Sequence, residues 1–223
     1  MEPDLQLTPL SSIDLQEEFD SQRLNSLIEA MKQSGILKDP PIVAKGLSKK
    51  LVQLDGTTRI SALRLLGASH VVVQVVDYFD TSQVVIKSWV HVSKVQKDAF
   101  IKGLKGIHGS QTESFKLGLG LTLTGHPLAA ATIVFRDGTG LSVYGNSDLF
   151  DRVRLLHAVV KLYSELVTRD REEAIESMMQ LHEFFAKHPD KNVALFFPSF
   201  SSQEIFSLLK KGVVLPQGIT RHI

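Results

Sequence analysis

The sequence predicts an α/β (α+β) protein, and two observations carry this prediction. Over about the first 95 residues, short apolar strand patterns alternate with helical stripes, which is typical of a compact α/β module. Farther along, two apolar runs flank Asp137-Gly138-Thr139-Gly140, a signal for a β-hairpin, and helical patterns follow. Hydrophobic residues make up 43% of the 223 residues, which is enough for one large domain or two small ones with real cores.

The first predicted elements are an edge strand, a helix and a short strand. Residues 5–13 alternate weakly, and Pro9 suits an edge position. The helix follows Asp20 as its N-cap and ends at Gly35. Residues 42–44 then form a strand. The apolar stripe of the helix consists of Leu24, Leu27, Ile28 and Met31.

The chain is organised around residues 51–67, which read LVQLDGTTRISALRLLG. An apolar strand over 51–54 is broken by Asp55 and Gly56. A helix then begins at Thr57, because apolar residues recur from there at helical spacing until Gly67. This stretch therefore predicts a strand, a glycine turn and a helix N-terminus in direct succession.

Such a junction forms an anion site. The first backbone N–H groups of a helix lack internal partners, and the helix dipole adds partial positive charge. Gly56 permits close approach of a phosphate, Thr57 and Thr58 offer hydroxyl donors, and Arg59 offers a planar two-pronged donor. Asp55 ends the strand beside this positive pocket and is a candidate ligand for a divalent cation. The alternative is an ordinary strand-turn-helix junction in which Asp and Thr serve as caps.

The rest of the chain predicts further strands, a linker and a mixed C-terminal part. Residues 71–76 and 84–91 carry strand patterns. Residues 102–126 are rich in Gly, Ser and Thr and predict a linker or mobile loops. The later elements are the hairpin strands 130–135 and 141–144, helices over 147–168 and 170–187, a strand over 193–197, and a helix opened by the capping box of Ser201 and Glu204 that ends near Gly212.

Composition excludes several classes of protein. The net charge is +1, so no strong bulk field draws the chain to nucleic acid or membrane. The sequence has no apolar run of about 18 residues that would span a membrane, and its acidic beginning lacks the features of a signal peptide. With no cysteine, disulfides, thiolate chemistry and Cys-ligated zinc are excluded. We expect a cytoplasmic protein with no membrane partner.

Polar residues outside the turn have ordinary explanations as well as functional ones. Glu17 and Glu18 precede a helix and match solvated surface acids. Trp89 is the only tryptophan and matches a core aromatic. Residues 220–222 match a frayed terminus, although three anion-capable side chains stand together there. Since the chain has no Walker motif and no GxGxxG, the DGTTR turn is the one candidate cradle for nucleotide phosphates.

The order of these segments resembles the ParB/sulfiredoxin-like fold, whose nucleotide phosphates sit on a GxxR helix start. The resemblance is carried by IDLQEEFD, RLNSLIEAMKQSGILKDPPIV, LVQLDGTTRISALRLLG and VVVQVV in succession, with Gly56 to Arg59 on the GxxR pattern. Sulfiredoxin itself needs a cysteine beside that arginine, which this chain lacks. Chromosome-partitioning ParB proteins continue into a helix-turn-helix, whereas this chain continues into a Gly/Ser-rich segment and a hairpin.

The closer resemblance is to free L-serine kinases of this fold, which include a siderophore-associated member of the staphyloferrin B pathway. IDLQEEFD is similar to the segment with the family's catalytic glutamate, which falls on Glu17, and SWVH is similar to a segment whose tryptophan lies at the serine site, which falls on Trp89. The ending EIFSLLKKGVVLPQGITRHI resembles the family's terminal motif and implies that Thr220, Arg221 and His222 surround the serine.

One departure bears on the phosphate donor. Some members have histidines between the Gly and Arg of the phosphate turn, where this chain has Thr57 and Thr58. The choice between ATP and ADP therefore stays open, as do the oligomeric state and the pathway.

The resemblance implies the following organisation and activity. Residues 1–95 would form a ParB/sulfiredoxin-like nucleotide-binding domain, 96–126 a linker or mobile loops, and 127–223 a mixed helix and hairpin domain that returns its tail to the substrate site. The expected reaction is transfer of a phosphoryl group from ATP or ADP, with Mg²⁺ near Asp55, to free L-serine, giving O-phospho-L-serine, with siderophore precursor synthesis as one use of the product. The alternatives are a ParB-like, nucleotide-responsive DNA-binding regulator and a catalytically inactive scaffold.

Overall fold

A computed structural model of the chain describes residues 2–19, 21–45, 50–117, 129–163, 175 and 177–223. The chain forms two compact units. One consists of Met1–Lys87 together with Phe200–Ile223, and the other of Ser88–Ser199. The end of the chain thus folds with its beginning. Both units combine helices with sheets, which confirms the predicted mixed α/β class.

The first unit is built on a mixed sheet of five strands. These are β1 (Leu5–Pro9), β2 (Ile13–Asp14), β3 (Ile42–Lys45), β4 (Leu51–Asp55) and β5 (His70–Val76), in the order β1-β5-β3-β4-β2. β3 runs parallel to β5 and antiparallel to β4. Alternate valines of β5 at 71, 73 and 75 are buried in the core, while Val72 is 43% exposed. The strand therefore has one core face and one outer face.

Two helices pack together in this unit. They are α1 (Ser21–Ser34) and α2 (Thr57–Leu65), which meet through Leu24, Met31 and Ala62. As predicted, α1 stops at Gly35, which has a φ of 66°. Its predicted N-cap, Asp20, lies outside the described residues. α1 therefore covers the apolar side of α2, which is the helix of the central strand-turn-helix stretch.

The C-terminal part of the first unit consists of a helix and a short strand. The helix is α6 (Ser202–Lys210), and its start carries the predicted capping box between Ser201 and Glu204. The strand is β12 (Thr220–His222), which pairs with β6 (Ile86–Ser88). Next to this pair, the backbones of Val85 and Ile223 exchange hydrogen bonds of 2.9 and 3.0 Å. The tail is therefore an ordered strand in the structure, and the alternative of a frayed terminus is wrong.

The second unit is built on an antiparallel sheet and three helices. In chain order the elements are β7 (His91–Ser93), α3 (Lys97–Lys105), β8 (Gln111–Lys116), β9 (Ala129–Phe135), β10 (Thr139–Tyr144), α4 (Leu149–Lys161), α5 (Met178–Lys187) and β11 (Val193–Phe196). The strands lie in the order β7-β11-β9-β10-β8. All seven residues of β9 are buried, so this strand is covered on both faces. α4 packs on β9, and α5 contributes Leu181 and Phe185 to the core.

The linker predicted for residues 96–126 is wrong in its described part. Residues 97–105 form α3, and residues 111–116 form β8, which pairs with β10. Phe100 and Leu104, four residues apart, are buried, and Gly103 lies in the helix where an added Cβ would stand 3.2 Å from a methyl of Leu162. Tertiary packing thus stabilises a glycine-containing helix that composition does not indicate. Residues 118–128 lie outside the described part.

Candidate active site

The C-terminal tail pairs with the loop that carries Glu17. The N–H of Leu215 donates to the carbonyl of Gln16 at 2.8 Å, and the N–H of Glu18 donates to the carbonyl of Leu215 at 2.9 Å. These two bonds form a parallel bridge between Glu17 and Leu215. Residues far apart in sequence are thereby aligned, and the side chain of Glu17 is set against the tail.

The Glu17 carboxylate accepts three hydrogen bonds from the tail. Its Oε2 accepts from the N–H of Gly218 at 2.9 Å, and its Oε1 accepts from the N–H of Thr220 at 2.6 Å. The Thr220 hydroxyl also donates to Oε1. Hydrogen bonds to an ionised group are shorter and stronger than those between neutral groups. Glu17 is therefore not a loosely solvated surface acid in this structure.

The DGTTR turn has the backbone geometry expected of a phosphate cradle. Gly56 has a φ of 93°, a left-handed conformation that favours glycine, and α2 starts at the next residue. A Cβ at position 56 would lie 3.0 Å from the Cβ of Pro41 and 3.1 Å from Nε of Arg59. Any side chain there would press on both residues, so the close approach requires glycine.

Arg59 is held at this turn by three oxygens. One nitrogen pairs with the Asp55 carboxylate, and Nη1 donates to the carbonyl of Asp39 and, at 3.4 Å, to that of Pro40. The Arg59 side chain is 18% exposed and that of Asp55 is 63% exposed. Asp39 has a φ of 55°, which is uncommon for a non-glycine residue and presents its carbonyl to the arginine. The guanidinium is thus fixed beside the helix start.

His222 connects the tail to the end of β4. Its Nε2 lies 3.0 Å from the hydroxyl of Tyr78 and 3.4 Å from Nε2 of Gln16. A ring N–H donates to the carbonyl of Leu54, the residue before Asp55. Burial lowers the pKa of His222 to about 4, against the opposing effects of the Leu54 hydrogen bond and the Asp55 charge. The imidazole is therefore neutral near pH 7, with its Nε2 against Tyr78 and Gln16.

This pKa predicts an acid-sensitive tail. Because the folded pKa lies below the usual 6.5, the unfolded chain takes up a proton first as the pH falls. The neutral His222 makes its full contribution to the free energy of unfolding above pH 6.5. This contribution decreases as the pH falls towards 4, by about 3 kcal/mol in all. Urea unfolding at pH 7 and pH 4.5 should show a smaller pH dependence in His222→Gln than in the wild type.

The control for that comparison is His182→Gln, at an exposed position of α5. It should follow the pH dependence of the wild type. The same dependence in the wild type and His222→Gln would contradict a buried neutral imidazole.

The predicted site residues fall into two groups. Glu17, residues 55–59 and residues 220–222 lie in the first unit, where Glu17 contacts Thr220 directly and the charge of Asp55 acts on His222. Arg221 is half-buried on β12, between the two engaged residues of that strand. Trp89 lies in the second unit, between β6 and β7, and is half-buried. The roles assigned to all of these residues stay predictions.

Sequence reasoning missed two residues of the site region. Gln16 and Tyr78 are 2% and 3% exposed, and both contact His222. Neither stands in a pattern that indicates chemistry, because a glutamine before two glutamates and a tyrosine after a strand match ordinary loop residues. Only the pairing of distant segments shows their position.

Among the described residues, no three His, Asp or Glu side chains cluster as a metal site. Asp55 is thus a single exposed carboxylate beside the helix start. No helix in the described ranges has the length and apolar character needed to cross a bilayer.

The chain is similar to serine kinases in sequence and in fold. It is 27% identical over 217 residues to an ATP-dependent L-serine kinase of Staphylothermus marinus, covering 93% of this chain and 80% of the relative. A free serine kinase in complex with AMP has a TM-score of 0.75 at 20% identity, over 100% of this chain and 88% of that one. SbnI with a C-terminal truncation, from Staphylococcus aureus, has a TM-score of 0.72 at 21% identity, over 98% and 82%.

No protein-family model matches the chain. The two structural likenesses establish the fold. The sequence similarity to the kinase of Staphylothermus marinus covers most of this chain and most of that relative. The resemblance to free L-serine kinases is confirmed.

Proposed function

We propose that this protein transfers a phosphoryl group from a nucleotide to the hydroxyl of free L-serine and releases O-phospho-L-serine. The observation that carries the proposal is the contact of Glu17 with Gly218 and Thr220, in a chain related to an ATP-dependent L-serine kinase. The same unit carries the turn over 55–59. A carboxylate and a phosphate cradle are the parts that phosphoryl transfer to an alcohol requires.

Glu17 is proposed to act on the serine hydroxyl. A hydroxyl is a weak nucleophile at neutral pH, and a carboxylate within hydrogen-bond reach orients it and accepts its proton. The backbone pairing on both sides of Glu17 and the tail donors on its carboxylate restrict its position. A fixed carboxylate favours the reactive geometry, because its side chain loses little conformational freedom when serine binds.

The turn is proposed to hold the nucleotide phosphates. The free N–H groups at the start of α2 and the Arg59 guanidinium supply donors and positive charge where charge spreads over the transferring group. In this structure Arg59 pairs with Asp55. Phosphate oxygens would compete for the guanidinium and leave the Asp55 carboxylate available to a cation.

Asp55 fits a magnesium ligand of the usual kind. Mg²⁺ is commonly held by one or two carboxylates, substrate phosphates and water, and Asp55 is an exposed carboxylate at the helix start. When bound, Mg²⁺ would neutralise charge on the phosphates. The sequence relative is an ATP-dependent L-serine kinase, which favours ATP over ADP as the donor.

The tail is proposed to bind the amino acid. Arg221 lies next to Thr220 on β12, and its guanidinium would pair with the serine carboxylate. Trp89 is proposed to close the serine pocket, as the resemblance implies. For His222 we propose a holding role rather than direct contact with serine, since the ring is buried and its Nε2 contacts Tyr78 and Gln16 within the protein.

The test is a panel of free amino acids and donors. The protein is incubated with Mg²⁺, either ATP or ADP, and each amino acid in turn, and products are identified by mass spectrometry. Phosphoserine from L-serine alone is expected. A phosphorylated amino acid other than serine would overturn the substrate assignment, and no phosphorylated product would overturn the activity.

Arg59→Ala should weaken nucleotide binding by at least a few kcal/mol. Hydrogen bonds to charged groups contribute about 1.5–3 kcal/mol each, and a guanidinium can make two to a phosphate. Calorimetry with ATP measures this. Lys32→Ala, which removes a charge of the same sign at an exposed position of α1, should bind ATP like the wild type. An Arg59 variant with unchanged affinity would contradict the cradle.

A further inference from the structure

Three polar side chains form a buried cluster, and the proposed function gives a role to only one of them, His222. The Tyr78 hydroxyl lies 3.0 Å from Nε2 of His222 and 3.3 Å from Oε1 of Gln16. Gln16 Nε2 lies 3.4 Å from the same histidine nitrogen. Gln16 and Tyr78 are 2% and 3% exposed. Burying polar groups is costly unless they are hydrogen-bonded, so each member depends on the others.

The cluster joins three segments that each adjoin the site. Gln16 precedes Glu17, Tyr78 follows β5, and His222 stands two residues after Thr220 on β12. The Tyr78 hydroxyl donates to Oε1 of Gln16 and also lies within hydrogen-bond distance of Nε2 of His222. This one hydroxyl therefore links the other two members of the cluster, and the tautomer of His222 sets which group donates in the Tyr78–His222 pair.

Tyr78 also contacts the helix that leads to the tail. Its ring lies edge-on to Phe206 of α6, with 5.6 Å between centroids, and its centroid is 5.7 Å from that of His222. Burial, and secondarily the charge of Glu17, raises the pKa of the Tyr78 hydroxyl, which keeps it protonated as a donor. Both C-terminal elements of the first unit thus dock on this one tyrosine.

We propose that Tyr78 and Gln16 are positioning residues of the serine kinase reaction, which hold His222 and thereby hold Thr220 and Gly218 against the Glu17 carboxylate. The inference rests on the proposed function and adds two residues to it. A strand slipped by one residue presents its side chains to the opposite face. A slip of β12 would put Arg221 or Ile223 where His222 now contacts the Tyr78 hydroxyl, and Thr220 would leave Glu17. The cluster therefore selects one register for the tail.

The test is Tyr78→Phe, which keeps the ring and removes the hydroxyl. We expect the KM for L-serine to rise about 10-fold or more, because Nε2 of His222 and Oε1 of Gln16 each lose a buried hydrogen-bonding partner. The Kd for ATP should change less than about 2-fold, since the residues of the cluster are not those of the cradle. A general loss of stability would instead reduce the active fraction and leave both constants unchanged.

A second readout follows the tail without any substrate. Amide hydrogen exchange at Gly218 and Thr220 should be about 10-fold faster in Tyr78→Phe, while exchange in the strands β3 and β5 stays at its wild-type rate. Gln16→Met, which keeps the size of the side chain and removes its polar atoms, should change the KM and the exchange rates in the same direction.

The chain offers a matched control in the second unit. Tyr163 is 1% exposed, and its hydroxyl lies 2.8 Å from Nδ1 of buried His91. Tyr163→Phe removes the same group from the same kind of pair and should leave the serine KM and the exchange at Gly218 and Thr220 unchanged.

The outcomes separate the two proposals. Wild-type serine KM and wild-type tail exchange in Tyr78→Phe would overturn the positioning role, as would an equal rise in KM in the Tyr163→Phe control. Absence of phosphoserine from the wild-type protein would overturn the kinase function and with it the catalytic part of this inference. The exchange rates decide in either case whether Tyr78 holds the tail.

Discussion

Replacing Glu17 by glutamine should lower the turnover number with L-serine by about 10²- to 10⁴-fold, the usual contribution of a positioned general base. Glutamine keeps the length and planar shape of the side chain but cannot accept a proton. Nucleotide affinity should barely change, because the phosphate cradle lies on a different segment. A residue that contributed only ground-state binding would instead show a raised KM with little effect on turnover.

The tail adds a second, smaller effect to this variant. The carboxylate of Glu17 accepts from Gly218 with one oxygen and from Thr220 with the other. An amide has one donor group, which must face one of these partners and lose that hydrogen bond. We therefore expect a modest rise in the serine KM beside the large fall in turnover.

Glu18→Gln is the control for this experiment. Glu18 is the neighbouring residue, and its side chain is exposed. Steady-state kinetics with L-serine should give near wild-type values for it. A Glu17→Gln variant that makes phosphoserine at the wild-type rate would rule out Glu17 as the base.

Removing residues 219–223 should abolish serine phosphorylation. The truncation deletes both Thr220 donors to Glu17, the proposed carboxylate ligand Arg221, and His222. ATP binding by calorimetry should be largely retained, because the turn over 55–59 remains. A truncated protein with normal serine kinetics would show that the tail takes no part in the reaction.

Truncation also has a structural cost, since Ile219 is completely buried and its loss removes about 1.5–3 kcal/mol of hydrophobic burial. Thr220→Val separates the two effects, because it keeps the tail and removes only the hydroxyl. We expect a loss of about 10-fold or more in kcat/KM for serine, from one hydrogen bond to a charged group. Thr132→Val, at another buried threonine of the second unit, is the matched control and should be silent.

Local patterns predicted most of the first unit correctly. The strand-turn-helix over 51–67 appears as β4 and α2, and Gly35 and Gly56 take the left-handed conformations that their positions require. The capping box at Ser201 and Glu204 is present. These features depend on residues close in sequence, where periodicity and capping chemistry decide the structure.

The errors lie where distant contacts override composition. α3 contains Gly103 and β8 is mostly polar, so neither has a strong local signal, yet Phe100 and Leu104 bury one face of the helix and β10 pairs with the strand. Predicted helices over 147–168 and 170–187 appear as α4 and α5 in their described parts, and residues 164–174 and 176 lie outside the described ranges.

The residues of the site also divide into those that sequence reasoning predicted and those that only the folded chain brings together. Arg59 followed from the local pattern of a strand, a glycine turn and a helix start. The roles of Glu17 and Thr220 were implied only by the resemblance to a family, since a carboxylate or a threonine in a loop carries no signal of its own. Gln16 and Tyr78 could not be found by local reasoning, because Gln16 and His222 are 206 residues apart and meet only in the folded chain. Their importance follows from burial and hydrogen bonding, which sequence patterns do not contain.

The measurement that tests the central claim most directly is ³¹P NMR of the wild-type protein with ATP, Mg²⁺ and L-serine. The account predicts that a phosphoserine resonance grows as ATP is consumed, with one phosphoserine formed for each ADP released. ATP consumption that yields only inorganic phosphate, or no consumption under these conditions, would contradict the kinase assignment and favour the alternative of a nucleotide-responsive regulator.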